Sequence, residues 1–597
     1  MAEYAAPVRE LSFVLNHIAG LKDVAALPGF EAADPDLVEQ ILEEAARLAG
    51  GVLAPLNRAG DQVGARLENG VVRTAPGFAD AWKQFRDGGW NGVPFDPELG
   101  GGGLPWLVTI ALTEMWNSAN IGFSLCPLLN QGAIDALEAH GSEEQKAMYL
   151  EKMISGEWTA TMNLTEPQAG SDVGALRTKA EPRGDGSWLI SGQKIFISYG
   201  EHDMADNIIH LVLARTPDAP AGTRGISLFL VPKFLLNADG TPGQRNDLRC
   251  ISLEHKIGIH ASPTCVMSYG ENGNCVGWMV GEENKGMRAM FTMMNNARLS
   301  VGVQGVAVAE RAYQRAVDFA RQRVQGRPAV AGTGTIIDHA DVRRMLMTMR
   351  SLTEAARAIC LANAACLDLG RRHPDADERR RRAGLGELFT PVSKGFSTDV
   401  GVEVASLGVQ VHGGMGYVEE TGAGQHYRDS RILPIYEGTN GIQALDLVTR
   451  KLTLNGGEPM QLMLAMFEET ATACAASAAP AIAAMANPLA VAGRAFAETA
   501  EWLVEKLSSA PNDAAAGATP FLRLAGLAIG GHLLAQGALQ AQALLDAGTG
   551  DTPFLQAKIA SAGFFCAQIL PQVTALGLSA REGAESLYSI PDDQLVA

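Results

Sequence analysis

The chain has 597 residues, of which 47% are apolar and 19% are charged, and its formal net charge is −18. A chain of this length is too long for one hydrophobic core, so we expect a multi-domain protein that buries large cores. The excess of negative charge argues against nucleic acid as a general partner, although a local site could still bind an anionic ligand.

Residues 1–34 are predicted to be an N-terminal lead. The first 20 residues lack the basic segment and apolar core of a signal peptide, so no signal peptide is expected. Residues 35–160 have apolar residues at helical spacing, as in Trp106–Trp116, and predict an N-terminal helical domain. A connector rich in glycine and proline, residues 88–105, interrupts these helices.

The pattern changes over residues 161–285, which predict a β domain inserted between helical ones. Runs rich in β-branched residues indicate strands at 187–198, 208–214 and 225–231.

Two segments of this β domain could surround a flat, phosphate-bearing cofactor. The loop Thr165–Asp172 offers hydroxyl and backbone N–H groups. At the end of the strand 187–198, alternation places Phe196 and Ser198 on one face. The Phe196 ring could cover a heterocycle, and the Ser198 hydroxyl could bind a nitrogen of that heterocycle. Taken alone, an ordinary Asx or Ser turn and a half-buried strand are the simpler interpretations.

Long helical patterns return over residues 286–455, with one helix predicted at 298–323 and another at 335–371. The run of charged residues at 371–382 predicts a solvated loop between helices.

Two groups in this helical region could bind a phosphate or approach a ligand. The guanidinium groups on or beside the first helix suit bidentate phosphate contact, although solvent-facing arginines are more common: Arg298, Arg321 and Arg323. Gln410 precedes a turn in which Gly413 and Gly414 permit close backbone approach, or simply end a helix. No strand precedes this turn in a GxGxxG arrangement, so nicotinamide binding is not supported.

Glu437 is a carboxylate that directly precedes a predicted helix, for which Thr439 or Asn440 is a suitable N-cap. The apolar residues behind it have helical spacing: Ile442, Leu445, Leu447, Val448 and Leu452. Because Ile435 and Tyr436 flank the carboxylate, it should lose hydration, which raises its pKa toward the range of a general base. The alternative is that Glu437 merely complements the positive end of the helix dipole.

Residues 456–597 are rich in alanine and predict an additional helical domain whose role is packing or assembly. Pro488 and residues 508–520 are expected to separate its helices, at 461–486, 490–507, 521–547 and 552–576. Arg523 and His532 interrupt the most apolar stretch, which favours a buried helix over a membrane span.

The eight cysteines are dispersed along the chain and form no CxxC pair or zinc-spaced Cys/His cluster. We therefore expect no structural metal, and buried thiols in a reducing compartment, the cytoplasm.

Four motifs follow one another in a distinctive order: Thr165-Glu-Pro-Gln-Ala-Gly-Ser-Asp172, Gly192-Gln-Lys-Ile-Phe-Ile-Ser198, Gln410-Val-His-Gly-Gly-Met-Gly-Tyr417 and Ile435-Tyr-Glu-Gly-Thr439. Each is weak alone, but the combination closely resembles the acyl-CoA dehydrogenase family over residues 40–455. The lead and the tail further resemble the long bacterial subgroup that includes the methylthiopropanoyl-CoA dehydrogenases.

The resemblance implies a helical domain, a β-barrel domain and a four-helix bundle, followed here by the extra helical tail. It also implies a homodimer or homotetramer, with FAD held between domains and across a subunit interface. Glu437 would be the catalytic base, and the substrate would contact Ser171, Arg298 and Gly438. The residues implied to contact FAD are Met162, Leu164, Thr165, Ser171, Phe196, Ile197, Ser198, Arg323, Gln410, Gly413, Gly414 and Thr439.

Two departures from the family pattern occur. Arg323 is followed by Val-Gln-Gly326, which is one residue shorter than the usual Arg-x-x-Phe-Gly and lacks its aromatic residue. Phe196 and Ser198 stand where tryptophan and threonine are common, so ring and hydroxyl are retained.

The implied reaction is α,β-dehydrogenation of a fatty acyl-CoA or of 3-methylthiopropanoyl-CoA to a trans-2-enoyl-CoA. Glu437 would remove the α-proton while a hydride passes from the β-carbon to flavin N5. The Glu437 N–H and the FAD ribityl hydroxyl would bind the thioester carbonyl. Electron transfer flavoprotein is the implied acceptor. Two alternatives stay open: an oxygen-using acyl-CoA oxidase, and a non-catalytic flavoprotein whose tail is an assembly scaffold.

Overall fold

The computed structural model describes residues 4–330 and 332–596. The chain is mainly helical with one β domain inserted between helical segments, which confirms the expected fold class. It forms two compact units. The first contains Glu44–Leu104 and Ala119–Ala297 with the residues before Pro7, and the second contains Pro7–Glu43, Pro105–Ser118 and Arg298–Ala597.

The α-helices alternate with short loops and a few tight helical turns. In chain order they are α1 (Val8–His17), α2 (Leu21–Ala25), α3 (Pro35–Leu48), α4 (Ala54–Val63), α5 (Phe78–Asp87), α6 (Trp106–His140), α7 (Glu143–Ser155), α8 (Gly286–Gln322), α9 (Ala340–Arg372), α10 (Ala376–His412), α11 (Ala423–Ser430), α12 (Asn440–Asp446), α13 (Glu458–Ala476), α14 (Pro480–Ala483), α15 (Ala486–Ser509), α16 (Pro511–Asp546), α17 (Thr552–Phe564) and α18 (Gln572–Ala580).

The strands all belong to the first unit. In chain order they are β1 (Arg66–Glu68), β2 (Val71–Arg73), β3 (Trp158–Asn163), β4 (Lys179–Pro182), β5 (Trp188–Ser198), β6 (Asn207–Ala214), β7 (Ser227–Pro232), β8 (Phe234–Leu236), β9 (Pro242–Arg245), β10 (Leu248–Leu253), β11 (Thr264–Tyr269) and β12 (Val276–Val280).

The β domain is built on one eight-stranded sheet with the order β10-β11-β5-β12-β7-β6-β3, and β4 pairs with β5. The pair β3–β6 is parallel, whereas the other pairs of this sheet are antiparallel. The strands predicted from β-branched runs are confirmed as β5, β6 and β7. Their inward side chains pack with those of β10 and β11 in a buried core that includes Ile197, Phe229, Met267 and Tyr269.

In the second unit, α9 and α10 pack along each other, and α11 and α12 pack against α10. The helix predicted to start at Arg298 starts instead at Gly286. The earlier turns continue the helical spacing, because Met290, Met293 and Ala297 are buried on one face.

The charged run at 371–382 is mostly helix, so the predicted solvated loop is too long. α9 ends at Arg372 and α10 begins at Ala376, after the N-cap Asp375. The Asp375 carboxylate accepts hydrogen bonds from the main-chain N–H groups of Asp377 and Glu378 at 2.8 and 2.9 Å. This cap starts a helix inside the run and leaves only three residues for the loop.

The tail is helical as expected, and the break predicted between 547 and 552 is confirmed, but the break at Pro488 was misplaced and the break at 508–520 was predicted too long. α13 ends at Ala476, and Pro488 lies in the first turn of α15 rather than between helices. Pro511 likewise begins α16, which continues through Pro520. A proline in the first helical turn costs little, because the N–H it lacks would have no acceptor within the helix.

The helix α16 is long and apolar enough to cross a membrane by length and composition alone. In this fold, 83% of its most apolar window is buried, which is typical of the core helix of a packed domain and agrees with the expected buried helix. All eight cysteines are buried free thiols, as the dispersed spacing predicts.

Candidate active site

Glu437 lies in a sharp turn that immediately precedes α12. Its backbone is left-handed, with φ +57°, and Gly438 follows with φ +84°. Thr439 is the N-cap of α12, and its hydroxyl accepts a hydrogen bond from Ile442 N–H at 3.3 Å. A left-handed non-glycine residue costs free energy and persists only where the surrounding structure holds it.

Burial raises the pKa of the Glu437 carboxyl above its usual range, and the nearby cations Arg298 and Lys394 oppose that rise. The expected rise in the pKa of Glu437 is therefore confirmed, but shielding by its sequence neighbours is not its full cause. Ile435 is 52% exposed, so this sequence neighbour alone does not account for the burial of the carboxylate, to which the tertiary fold must contribute.

The main-chain carbonyl groups at Glu437 accept hydrogen bonds within the protein, whereas the main-chain N–H of Glu437 makes none in the described structure. The buried Gln443 amide donates to the carbonyl oxygens of Glu437 and Gly438 at 3.3 and 3.2 Å. In the described parts of the chain, the main-chain N–H of Glu437 donates to no acceptor. This donor is therefore available to a ligand beside the carboxylate.

We expect Thr439→Ala to lower the free energy of unfolding by about 1 kcal/mol, because it removes the N-cap of α12. Guanidinium denaturation followed by circular dichroism measures the effect. Thr439→Ser, which retains the capping hydroxyl, is the matched control and should unfold at nearly the parent midpoint. Equal midpoints for the alanine and serine variants would contradict a capping role.

Arg298 lies beside Glu437 within the second unit and is buried. Its guanidinium Nη1 is 3.7 Å from the Asp446 carboxylate, and its Nε donates to no acceptor in the described structure. A buried guanidinium with an unused donor can bind an anionic or carbonyl ligand, which fits the substrate contact implied for it.

A second buried cation near Glu437, Lys394, was not predicted. Its ammonium donates to the Asn440 side-chain oxygen at 2.8 Å, and the Asn440 amide donates to the Asp399 carboxylate at 2.8 Å and to the Thr398 hydroxyl at 3.0 Å. We call these four residues the Asn440 cluster. Lys394 is the one charged residue between Glu387 and Asp399 on α10, and this is a signal that could have identified it.

The loop Thr165–Asp172 is tied to strand β5 by main-chain and charged contacts. The Ile195 N–H donates to the Thr165 carbonyl at 2.9 Å, and the buried Lys194 ammonium donates to the Leu164 carbonyl at 3.0 Å. Lys194 also pairs with the buried Glu166 at 2.8 Å. Glu166 and Lys194 belong to two of the sequence motifs, but neither was predicted to have a role.

Glu166 is the central acceptor of this loop. Its carboxylate accepts from the main-chain N–H groups of Arg177 and Thr178 and from the Thr178 hydroxyl, at 2.7, 3.0 and 2.6 Å. These donors and Lys194 outweigh burial and lower the pKa of Glu166 to about 2. The loop is thus fixed by the ionised Glu166 carboxylate. An ordinary Asx turn, the simpler alternative, occurs within this loop only at Asp172, whose carboxylate accepts a hydrogen bond from Gly174 N–H.

Strand β5 does not alternate regularly at its end. Phe196 is left-handed, with φ +59°, and the register against β11 shifts beside it. This bulge interrupts the expected regular alternation at Phe196, although Phe196 and Ser198 remain more accessible than the buried Ile197 between them. The Phe196 ring is 58% exposed and can cover a ligand, whereas the Ile197 side chain lies in the β core and cannot.

The remaining predicted residues of the first unit have different environments. Met162 is buried in β3, Leu164 and Thr165 are half-buried, and Ser171 is exposed beyond the tight turn. The hydroxyls of Thr165 and Ser171 offer polar groups and the exposed Phe196 ring offers an aromatic surface, and a flavin requires both.

Four predicted cofactor contacts of the second unit lie at the ends of α8 and α10: Arg323, Gln410, Gly413 and Gly414. Phe319 on α8 stacks on His412 at the end of α10, with ring centroids 4.4 Å apart. This places the helix ends that carry Arg323 and Gln410 side by side, and both side chains are exposed. Gly413 has φ +57°, and neither it nor Gly414 has an atom within 4 Å of an added Cβ, so the turn is open to an approaching ligand.

Four family models match consecutive parts of the chain. They are the acyl-CoA dehydrogenase N-terminal domain over residues 38–157, the middle domain over 161–270, the C-terminal domain over 284–452, and an acetyl-CoA dehydrogenase C-terminal-like domain over 464–591.

Two curated relatives align over nearly their whole length. A 3-methylmercaptopropionyl-CoA dehydrogenase of Ruegeria pomeroyi is 50% identical, over 96% of this chain and 97% of that protein. A butyryl-CoA dehydrogenase of Syntrophomonas wolfei is 36% identical, over 94% of this chain and 93% of that protein. Among solved structures, an acyl-CoA dehydrogenase of Bacillus anthracis complexed with FAD has a TM-score of 0.74 at 21% identity, covering 95% of this chain and 91% of that one.

Proposed function

The chain belongs to the acyl-CoA dehydrogenase family, and from this premise we propose that it oxidises 3-methylthiopropanoyl-CoA to the trans-2-enoyl thioester. Acyl-CoA dehydrogenase activity itself follows from the family. The substrate proposal is carried by the Ruegeria relative, which is named for that thioester and is 50% identical over nearly the whole chain. A short fatty acyl-CoA is the second candidate, because a full-length relative is named a butyryl-CoA dehydrogenase.

FAD is the cofactor of this family, and it supplies the acceptor for the hydride that leaves the β-carbon. The side chains and turns at the predicted site are chemically suited to bind FAD. Phe196 offers an exposed ring, Thr165 and Ser171 offer hydroxyls on a loop fixed by Glu166, and Gly413 and Gly414 offer an open backbone turn. We retain Met162, Leu164, Ser198, Arg323, Gln410 and Thr439 as further proposed cofactor contacts. Ile197 could contribute only its main chain.

In the proposed mechanism Glu437 removes the α-proton of the thioester. Burial gives this carboxylate a raised pKa, which makes it a stronger base than an exposed glutamate once it is ionised. Its free main-chain N–H can donate to the thioester carbonyl oxygen, where negative charge develops as the proton leaves. We assign Arg298, Gly438 and Ser171 to substrate binding.

We further propose that the electrons pass to electron transfer flavoprotein, that the protein acts in the cytoplasm, and that it is a homodimer or homotetramer. Its net charge of −18 argues against binding nucleic acid.

The test of this function is anaerobic bleaching of the purified flavoprotein by a panel of acyl-CoAs. We expect 3-methylthiopropanoyl-CoA to bleach the flavin at the highest kcat/KM and to yield the enoyl thioester, identified by mass spectrometry. Preference for butyryl-CoA or a longer acyl-CoA would replace the proposed substrate. Bleaching by no acyl-CoA would favour the non-catalytic scaffold.

Exposure of the substrate-reduced enzyme to air separates a dehydrogenase from an oxidase. A dehydrogenase should regain its flavin colour slowly in air and rapidly with electron transfer flavoprotein. Rapid reoxidation with stoichiometric hydrogen peroxide would instead assign the oxygen-using acyl-CoA oxidase.

A further inference from the structure

The turn that carries Glu437 is cross-linked to helix α10 by the side chain of Asn440. Asn440 is the first residue of α12, and its main-chain N–H donates to the Pro434 carbonyl at 2.9 Å, which closes the turn. Its side chain donates to the Gly395 carbonyl at 3.0 Å as well as to Thr398 and Asp399, and accepts from Lys394. One amide therefore shares its two donor hydrogens among three acceptors on α10 and accepts from Lys394 with its oxygen, which joins the turn to α10.

Lys394 is fully buried and has no carboxylate within ion-pair distance in the described structure. Burial lowers the pKa of its ammonium to about 7, while the charges of Glu437 and Asp399 act in the opposite direction. A buried lysine with only an amide oxygen as a close partner is costly, and such groups are concentrated at functional sites.

The charged groups around this position come from four elements of the second unit. Arg298 lies on α8, and Arg523 lies on α16. Asp446 ends α12, and Arg450 lies in the turn after it. The charged groups on α10 are Glu387, Lys394, Asp399 and Glu403. Arg298 and Lys394 are the two cations that act on Glu437.

We propose that Lys394 is a positioning residue for the base: through Asn440 it fixes the turn that bears Glu437, and its ammonium is the second cation that favours the ionised carboxylate. The inference rests on the proposed role of Glu437. Arg298 keeps an unused donor that can bind substrate, whereas the Lys394 ammonium donates to Asn440 within the protein, so we expect the effect of Lys394 on the base to be independent of substrate. Lys394 acts through Asn440 and through its charge, without contact with the reacting atoms.

Infrared titration of the FAD-loaded enzyme tests this without substrate. The carboxyl band of protonated Glu437 is identified by its loss in Glu437→Gln, and its midpoint is followed against pH in the parent, in Lys394→Met and in Lys394→Gln. We expect both lysine variants to titrate about one pH unit higher, because the loss of a nearby opposite charge raises a carboxyl pKa. The acid limb of anaerobic bleaching should move by the same amount.

Arg344→Gln is the matched control, because it removes one positive charge from an exposed site on α9 of the same unit and should leave the midpoint unchanged. A Glu437 midpoint in Lys394→Met or Lys394→Gln equal to that of Arg344→Gln overturns the proposal, even if bleaching is slower. If the parent enzyme is not bleached by any acyl-CoA, the proposed function fails, whereas the infrared midpoints still decide the effect of Lys394 on Glu437.

Discussion

Glu437→Gln is expected to retain FAD and to lose anaerobic bleaching by acyl-CoA, with a fall of at least about 10²-fold in the rate of flavin reduction. Glutamine has nearly the same volume as glutamate and can occupy the same left-handed turn, so the Thr439 cap and the Gln443 contacts to the main chain remain. What the substitution removes is the only group at this turn that can accept the α-proton. Stopped-flow absorbance at the flavin band measures the rate.

Glu469→Gln is a suitable control, because Glu469 is an exposed glutamate on α13 of the same unit. It should bleach at the parent rate. Parent-like turnover in Glu437→Gln would remove Glu437 from the mechanism, and loss of FAD from that variant would show that the residue serves mainly to hold the site. Because burial raises the pKa of Glu437, the parent rate should fall at a higher pH than for an ordinary glutamate as the solution is acidified.

The position of Glu437 before a capped helix could be predicted, because an N-cap hydroxyl and the glycine beside it are local signals. Its electrostatic environment could not be predicted, because the two cations that act on it, Arg298 and Lys394, lie on α8 and α10, far away in sequence. Ile435 shows the same limit: its apolar character suggested a cover for the carboxylate, but only the fold determines which side chains face it.

The β domain could be predicted as a set of strands, since β-branched runs alternate with turn residues. The bulge at Phe196 could not, because a left-handed residue in a strand depends on the register of the neighbouring strand β11. Glu166 and Lys194 were visible in their motifs, yet their pairing joins a loop to a strand and becomes evident only in three dimensions.

A buried ion-pair network in the second unit joins the N-terminal lead, the central helices and the tail. The Arg357 guanidinium on α9 donates to the Glu114 carboxylate on α6 at 2.6 Å and to that of Glu310 on α8 at 2.7 Å. Glu10 on α1 lies 3.9 Å from the Arg357 guanidinium and 2.6 Å from the ammonium of Lys558 on α17. None of these partners is close in sequence, so composition and periodicity gave no indication of the network.

Arg357→Met is expected to lower the free energy of unfolding by about 3–5 kcal/mol, because it leaves two buried carboxylates without their guanidinium. Denaturant unfolding followed by circular dichroism measures the loss. Arg344→Met, an exposed substitution on the same helix, is the matched control and should stay within about 0.5 kcal/mol of the parent.

The double variant Arg357→Met/Glu114→Gln separates the cost of unpaired charge from that of lost packing. Glutamine removes one buried charge at nearly constant volume, so the double variant should recover part of the stability lost by Arg357→Met. The loss should also shrink as the pH is lowered, since burial already raises the pKa of Glu114 and the uncharged acid needs no cation. A double variant no more stable than Arg357→Met, together with a loss independent of pH, would show that the guanidinium stabilises the fold by filling space rather than by its charge.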